Sequence, residues 1–167
     1  KSKLTKPEQM FIKLEGARRV AYRTFVIAGV RDPILLENIE EIQEAVKGQV
    51  TEYYPEIDPE DYEIHFYNYG MNAVLGEMET EPFTGHEIGA LFEVIAKTQE
   101  LANTICATVR STFLHYGYDK RKSTAGNLAF PFAPSDIEFG AVYEFTIYHL
   151  MEVTENPFKI EYVQGEM

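Results

Sequence analysis

The sequence predicts an α+β fold: a ferredoxin-like β-α-β-β-α-β sandwich with two long loop excursions, in a single domain over residues 1–167 with its core at about 17–153. Three observations carry that reading. Four segments are rich in β-branched and aromatic residues, as strands are. Two others repeat apolar residues every three or four positions, as amphipathic helices do. The order in which these segments follow one another is that of the split βαβ motif, four antiparallel strands with both helices on one face.

Taken in order, residues 10–16, "MFIKLEG", read as a short edge strand, and Arg18–Val30, "RRVAYRTFVIAGV", as the first core strand. Asp32 is a good N-cap and Pro33 suits the first helical position. The helix that follows carries Leu35, Ile39, Ile42, Val46, Val50 and Tyr53 on one face, and Gly48 is expected to fray or end it early. "PEIDPED" is a turn, after which Tyr62, Ile64 and Phe66 alternate as a strand. Residues 69–86, with three Gly and one Pro, form the first excursion. Glu87–Ala96 is apolar on both faces and therefore central. Thr98 caps a second helix whose stripe is Leu101, Ile105, Val109 and Phe113, ending near Tyr116.

The second excursion, 117–141, contains "STAGNLAFPFAPSD", Ser123–Asp136. Pro131 and Pro134 remove backbone donors, while Gly126 and Asn127 permit conformations closed to most residues. Leu128, Phe130 and Phe132 nevertheless alternate like a strand with a buried face, and Phe130 and Phe132 are the expected anchors of the loop. Ala141–Val153 is the last strand, with Tyr143, Phe145 and Ile147 on one face, and a polar tail starts at Thr154.

A hydrophobic fraction of 45%, with 11 Phe and 11 Tyr, argues against disorder. The net charge of -12 and a pI near 4.8 repel a phosphate backbone overall, so no nucleic-acid partner is expected. Glu37, Glu40, Glu41 and Glu44, then Glu52, Glu56, Asp58, Glu60, Asp61 and Glu63, read as a solvated face, a metal or a partner being the alternative uses. The one cysteine, Cys106, provides neither a disulfide framework nor a thiolate metal site and suits a reducing cytoplasm. No apolar run reaches membrane-spanning length and no signal-peptide pattern opens the chain, so a cytoplasmic location without membrane contact is expected. The opening Lys-Ser-Lys, in place of Met, reads as part of a longer, processed polypeptide.

The four histidines lack metal-ligand spacing. His65 and His149 fall within strands and read as structural, whereas His86 and His115 sit at element ends, where binding groups concentrate. No glycine-rich phosphate loop is present, so no cofactor is named by a motif. Cys106 lies mid-helix and reads as a small core residue. Arg18, Arg19 and Arg23 mark the first strand, and Arg110 precedes the basic group Lys120, Arg121 and Lys122. The planar guanidinium fork suits carboxylate or phosphate, and such a group steers an anionic substrate or pairs with the acidic helix. Tyr67, Asn68, Tyr69 and Asn72 line a polar pocket or serve turn chemistry.

The candidate site drawn from these residues has Arg110 anchoring an anionic group, with Asn127, Ser135 and His86 binding substrate. Asp136 and His115 are its catalytic candidates, Asp136 acting as a general base or capping a turn. Each of these roles has a plain counterpart, hydrogen-bonding the loop to its own backbone.

From about Gly16 to Val153 the chain resembles the C-terminal region of the acyclic-terpene-utilisation (AtuA-like) protein family. The residues that carry the resemblance are "GVRDP", "TGHEIG", "KTQELA", "VRSTFLHYGY", "TAGNLAFPFAPSDI" and "VYEFTIYHLMEV". Members of that family are longer, with a large N-terminal α/β region, and are associated with catabolism of branched or terpenoid acids through coenzyme A thioesters. The resemblance implies a small subunit or fragment that requires a larger α/β partner.

Two functions are therefore expected. One is a subunit of a multi-chain enzyme of carboxylic-acid or acyl-coenzyme A metabolism, of lyase or hydratase type, completing a site at a subunit interface. The other is a non-catalytic ferredoxin-like assembly module, homo-oligomeric or bound to the partner, because so aromatic a sheet face calls for a cover.

Overall fold

The computed structural model describes residues 2, 3, 5, 7–153 and 161; all of the polar tail expected from Thr154 except residue 161 lies outside them. The elements are β1 (Phe11–Val30), α1 (Pro33–Glu37), α2 (Ile39–Tyr53), β2 (Tyr62–Tyr69), β3 (Ile88–Ala96), α3 (Gln99–His115) and β4 (Ile137–Glu152). The fold is α+β, with one four-stranded antiparallel sheet in the order β2-β3-β1-β4. The chain divides into two compact units, Val20–Val142 and the pairing of Lys1–Arg19 with Tyr143–Met167.

In the larger unit, β3 is central because its residues are apolar on both faces. It pairs antiparallel with β1, from Tyr22 opposite Ala96 to Val30 opposite Ile88, and with β2, from Tyr62 opposite Ala96 to Tyr69 opposite Gly89. β1 and β2 are consequently parallel, with β3 between them. Alternation sends Val26, Ala28 and Val30 of β1 and Ala90, Phe92 and Val94 of β3 to one face, where all are buried. Ile39, Ile42, Val46 and Val50 of α2 and Ile105, Cys106, Val109 and Phe113 of α3 complete the same core. Phe92 sits at its centre, with ring centroids 5.2 Å from Phe66 and 5.0 Å from Phe113.

Three boundaries differ from the sequence expectation. The first helix breaks at Asn38, whose side-chain amide donates to the Ile34 carbonyl at 2.8 Å and whose φ is -120. An Asn side chain competes with the helical ladder in this way, whereas Gly48, the expected weak point, stays inside α2. The edge strand expected at 10–16 and the strand expected from Arg18 are one strand, because nothing between them needs a turn. β4 begins four residues early, at Ile137, and passes through Gly140 at φ +97, a conformation that favours glycine.

Candidate functional site

The 117–136 loop is built onto the end of β1. Gly29 and Ala129 exchange two backbone hydrogen bonds at 2.8 and 2.9 Å, so the loop supplies a one-residue strand there. The Gly126 carbonyl accepts from the N–H groups of Arg31 and Asp32 at 2.8 and 2.9 Å. Leu128 is buried in the core and Phe130 packs against it, whereas Phe132, the other expected anchor, is 47% exposed. Pinning the loop at Ala129 places Leu128 and Phe130 inward, and the apolar period ends before Phe132.

Asp32 joins this loop to α1. One carboxylate oxygen accepts from the Leu35 N–H at 2.9 Å as the N-cap, and the other accepts from the Asn127 amide at 3.4 Å. Asn127 also donates to the Tyr118 hydroxyl at 2.6 Å and accepts from the Thr124 N–H at 2.8 Å. Both N–H groups of this buried amide thus have partners, Tyr118 within the loop and Asp32 at the start of α1. Burial, followed by the Asp32 charge, raises the pKa of the Tyr118 hydroxyl.

Of the other expected site residues, the structure brings Arg110 and Asp136 together. Arg110 Nε donates to Asp136 Oδ1 at 2.8 Å, with both side chains about a quarter exposed (26% and 29%). This ion pair holds the end of the loop to α3 and already neutralises the guanidinium. Ser135 is half-buried next to it in the chain. His115 is exposed as the last residue of α3. His86 is exposed in the first excursion. Among the described residues, no hydrogen bond or ion pair joins His86, His115 or Ser135 to the Arg110–Asp136 pair.

Cys106 is fully buried, and burial pushes its thiol up to about 12, which removes it as a nucleophile near neutral pH. Among the described residues, no group of three His, Cys, Asp or Glu side chains can hold a metal ion. None of their helices is long and apolar enough to cross a membrane.

A groove of about 1040 Å³ lies between α2 and the first excursion. Asn68 and Gln43 close it with a reciprocal amide pair at 2.8 and 3.2 Å, and Asn72 donates to Glu40 at 2.6 Å. Its walls carry Glu37, Glu40, Glu41, Glu44, Glu77, Glu79 and Glu81 against Lys47. So acidic a lining repels anions from this groove, which contains none of the expected site residues.

Sequence reasoning missed a polar cluster on the sheet face turned away from the helices. Glu93 is nearly buried, with Arg23 Nε 2.6 Å from one carboxylate oxygen and the Tyr67 hydroxyl donating to the other at 3.1 Å. The Arg23 contact is a close ion pair whose N–H is not aligned as a hydrogen bond. The Arg23 guanidinium also lies 5.4 Å from the Phe139 ring centroid. Burial first, and then the Glu93 charge, raises the pKa of Tyr67. The legible signal was the lone carboxylate in "ALFEVIA". The cluster fastens β1, β2 and β3 to one another on the face turned away from α2 and α3.

The smaller unit is different in kind. Among its described residues no side chain is buried. Tyr143, Phe145, Ile147, Tyr148 and Leu150 are 64%, 76%, 52%, 74% and 63% exposed, and Phe11 is 54% exposed. Arg18 donates to Glu144 at 2.7 Å, Lys13 lies 4.7 Å from the Tyr148 ring centroid, and Val153 N–H donates to the Met10 carbonyl at 2.8 Å. No protein-family model, no curated protein and no solved structure matches the chain, so its functional reading rests on this geometry.

Proposed function

We propose that the protein is a ferredoxin-like, non-catalytic assembly module that docks through β1 residues 11–19 and β4 residues 143–152. The ferredoxin-like assignment is supported by parallel β1 and β2 with β3 inserted between them, and by a single core shared by α2 and α3. The docking function is carried by one observation: a compact unit with no buried described side chain displays five large apolar residues of one strand to solvent. An isolated two-stranded ribbon is marginal in water, and an exposed apolar patch of this kind marks an interaction surface. In the assembly, the partner supplies the core that this unit lacks.

The test is the native mass of untagged protein, alone and as co-purified from its source. An assembly that Phe145→Lys dissolves, with the far-ultraviolet spectrum unchanged, is the expected result. A lone monomer indifferent to the substitution would sink the proposal.

A second reading places the module in a multi-chain enzyme acting on a carboxylic acid or an acyl-coenzyme A, as the resemblance to the acyclic-terpene-utilisation family implies. Arg110 favours it: a half-buried guanidinium whose Asp136 partner a substrate carboxylate can replace. In that case Arg110→Ala abolishes turnover by the assembled complex while its mass stays the same. Loss of the assembly itself would reassign Arg110 to structure.

A further inference from the structure

Resting on the assembly reading, we infer that the occupant of the coreless unit is a second copy of the chain, added edge to edge along β4. The first ground is the distribution of charge. Lys1–Arg19 with Tyr143–Met167 hold seven Lys and Arg against seven Asp and Glu, and are neutral. Val20–Val142 hold eight Lys and Arg against twenty Asp and Glu, so the whole net charge of -12 resides there. Two copies meeting through the larger unit bring like charge to like charge, which opposes association. The neutral unit is where two copies meet without that cost. A cationic partner, by contrast, finds its complement on the larger unit and gains nothing electrostatic from this one.

The second ground is the edge itself. β4 ends the strand order β2-β3-β1-β4, and among the described residues no strand pairs with its outer side. Natural edge strands are protected by charge, proline or brevity. β4 has sixteen residues and no proline, and from Tyr143 to Leu150 its only acid is Glu144, with no Lys or Arg. Antiparallel pairing of two such edges about a two-fold axis satisfies both rows of backbone groups and is self-complementary by construction. It also lays the strand face of each copy that carries Phe145 and Ile147 beside the same face of the other, which burial rewards.

Sedimentation of the untagged full chain across the micromolar range tests this. A concentration-dependent species of twice 19.2 kDa is expected. Phe145→Lys and Ile147→Lys should each weaken it by at least about 30-fold, while Val74→Lys, at an 84% exposed site of the larger unit, should leave it unchanged. Wild-type protein that stays at 19.2 kDa throughout overturns the second copy without recourse to any variant. If that monomer is held by a different chain from its source, and Phe145→Lys releases it, the assembly reading survives and only the choice of occupant fails. If it is held by nothing, both fail together. A dimer that both β4 variants leave intact and Val74→Lys disrupts also overturns the inference.

Discussion

Val20–Val142 and the pairing of residues 1–19 with 143–167 use the same kinds of residue to opposite ends. Both contain long runs of Val, Ile, Phe and Tyr, yet the first buries Phe92, Ile105, Val26 and Val109 completely, and the second buries no described side chain. The first holds all of the net charge and the second none. The contrast teaches that apolar content alone does not make a core. A strand needs a second layer, and α2 and α3 provide one only for the larger unit.

The largest loss of stability is expected at the centre of the core. Phe92→Ala removes the ring packed between Phe66 and Phe113 and should cost about 3–5 kcal/mol, read as a lowered denaturation midpoint. Leu128→Ala should cost about 2–5 kcal/mol and free the 117–136 loop for proteolysis, since Leu128 is that loop's buried anchor. A cleavage pattern identical to wild type would show that the backbone bridge to Gly29 suffices.

Next comes Glu93→Ala, which leaves Arg23 and the Tyr67 hydroxyl without their partner on the sheet. It should cost about 1–3 kcal/mol in the same unfolding measurement. A neutral result would mean that water replaces the carboxylate at no penalty.

Cys106 reports on the tightness of the core through pH. Its folded pKa of about 12 stands above the ordinary 9.0, so the neutral thiol is favoured in the native state. The resulting stability is fully present below pH 9 and is lost as pH rises from 9.0 towards about 12, at up to about 1.4 kcal/mol per pH unit. Cys106→Ala should flatten this alkaline slope. An unchanged slope would assign it to other groups.

The smallest effect on stability belongs to the smaller unit. Phe145→Ala, at a 76% exposed site, should change the unfolding free energy of the monomer by less than about 0.5 kcal/mol. A large loss in the monomer would mean that the ring already packs within one chain.

Most of the architecture was legible because local signals agreed with the tertiary result. The stripe from Leu101 to Phe113, the cap at Thr98 and the alternation in β2 each implied their elements. The Asn38 break was not legible, because it depends on a side-chain bond to Ile34 that spacing does not reveal. The site was legible only in part. The expected residues include the pair Arg110–Asp136, but which polar group turns inward depends on the Gly29–Ala129 bridge, a contact spanning a hundred residues. With that bridge in place, Asn127 donates to Tyr118 and Asp32. Glu93 escaped notice because its partners come from two other strands.

Amide hydrogen exchange of the native protein tests the division of labour between the two units most directly, comparing β3 with residues 143–152 of β4. In wild type both should be protected, β3 by its neighbours and β4 by the docked partner. In Phe145→Lys the protection of β3 should persist, and that of the amides of residues 143–152 that do not pair with β1 should vanish. Rapid exchange along 143–152 in the wild-type protein, at concentrations where it is fully folded, would contradict the account.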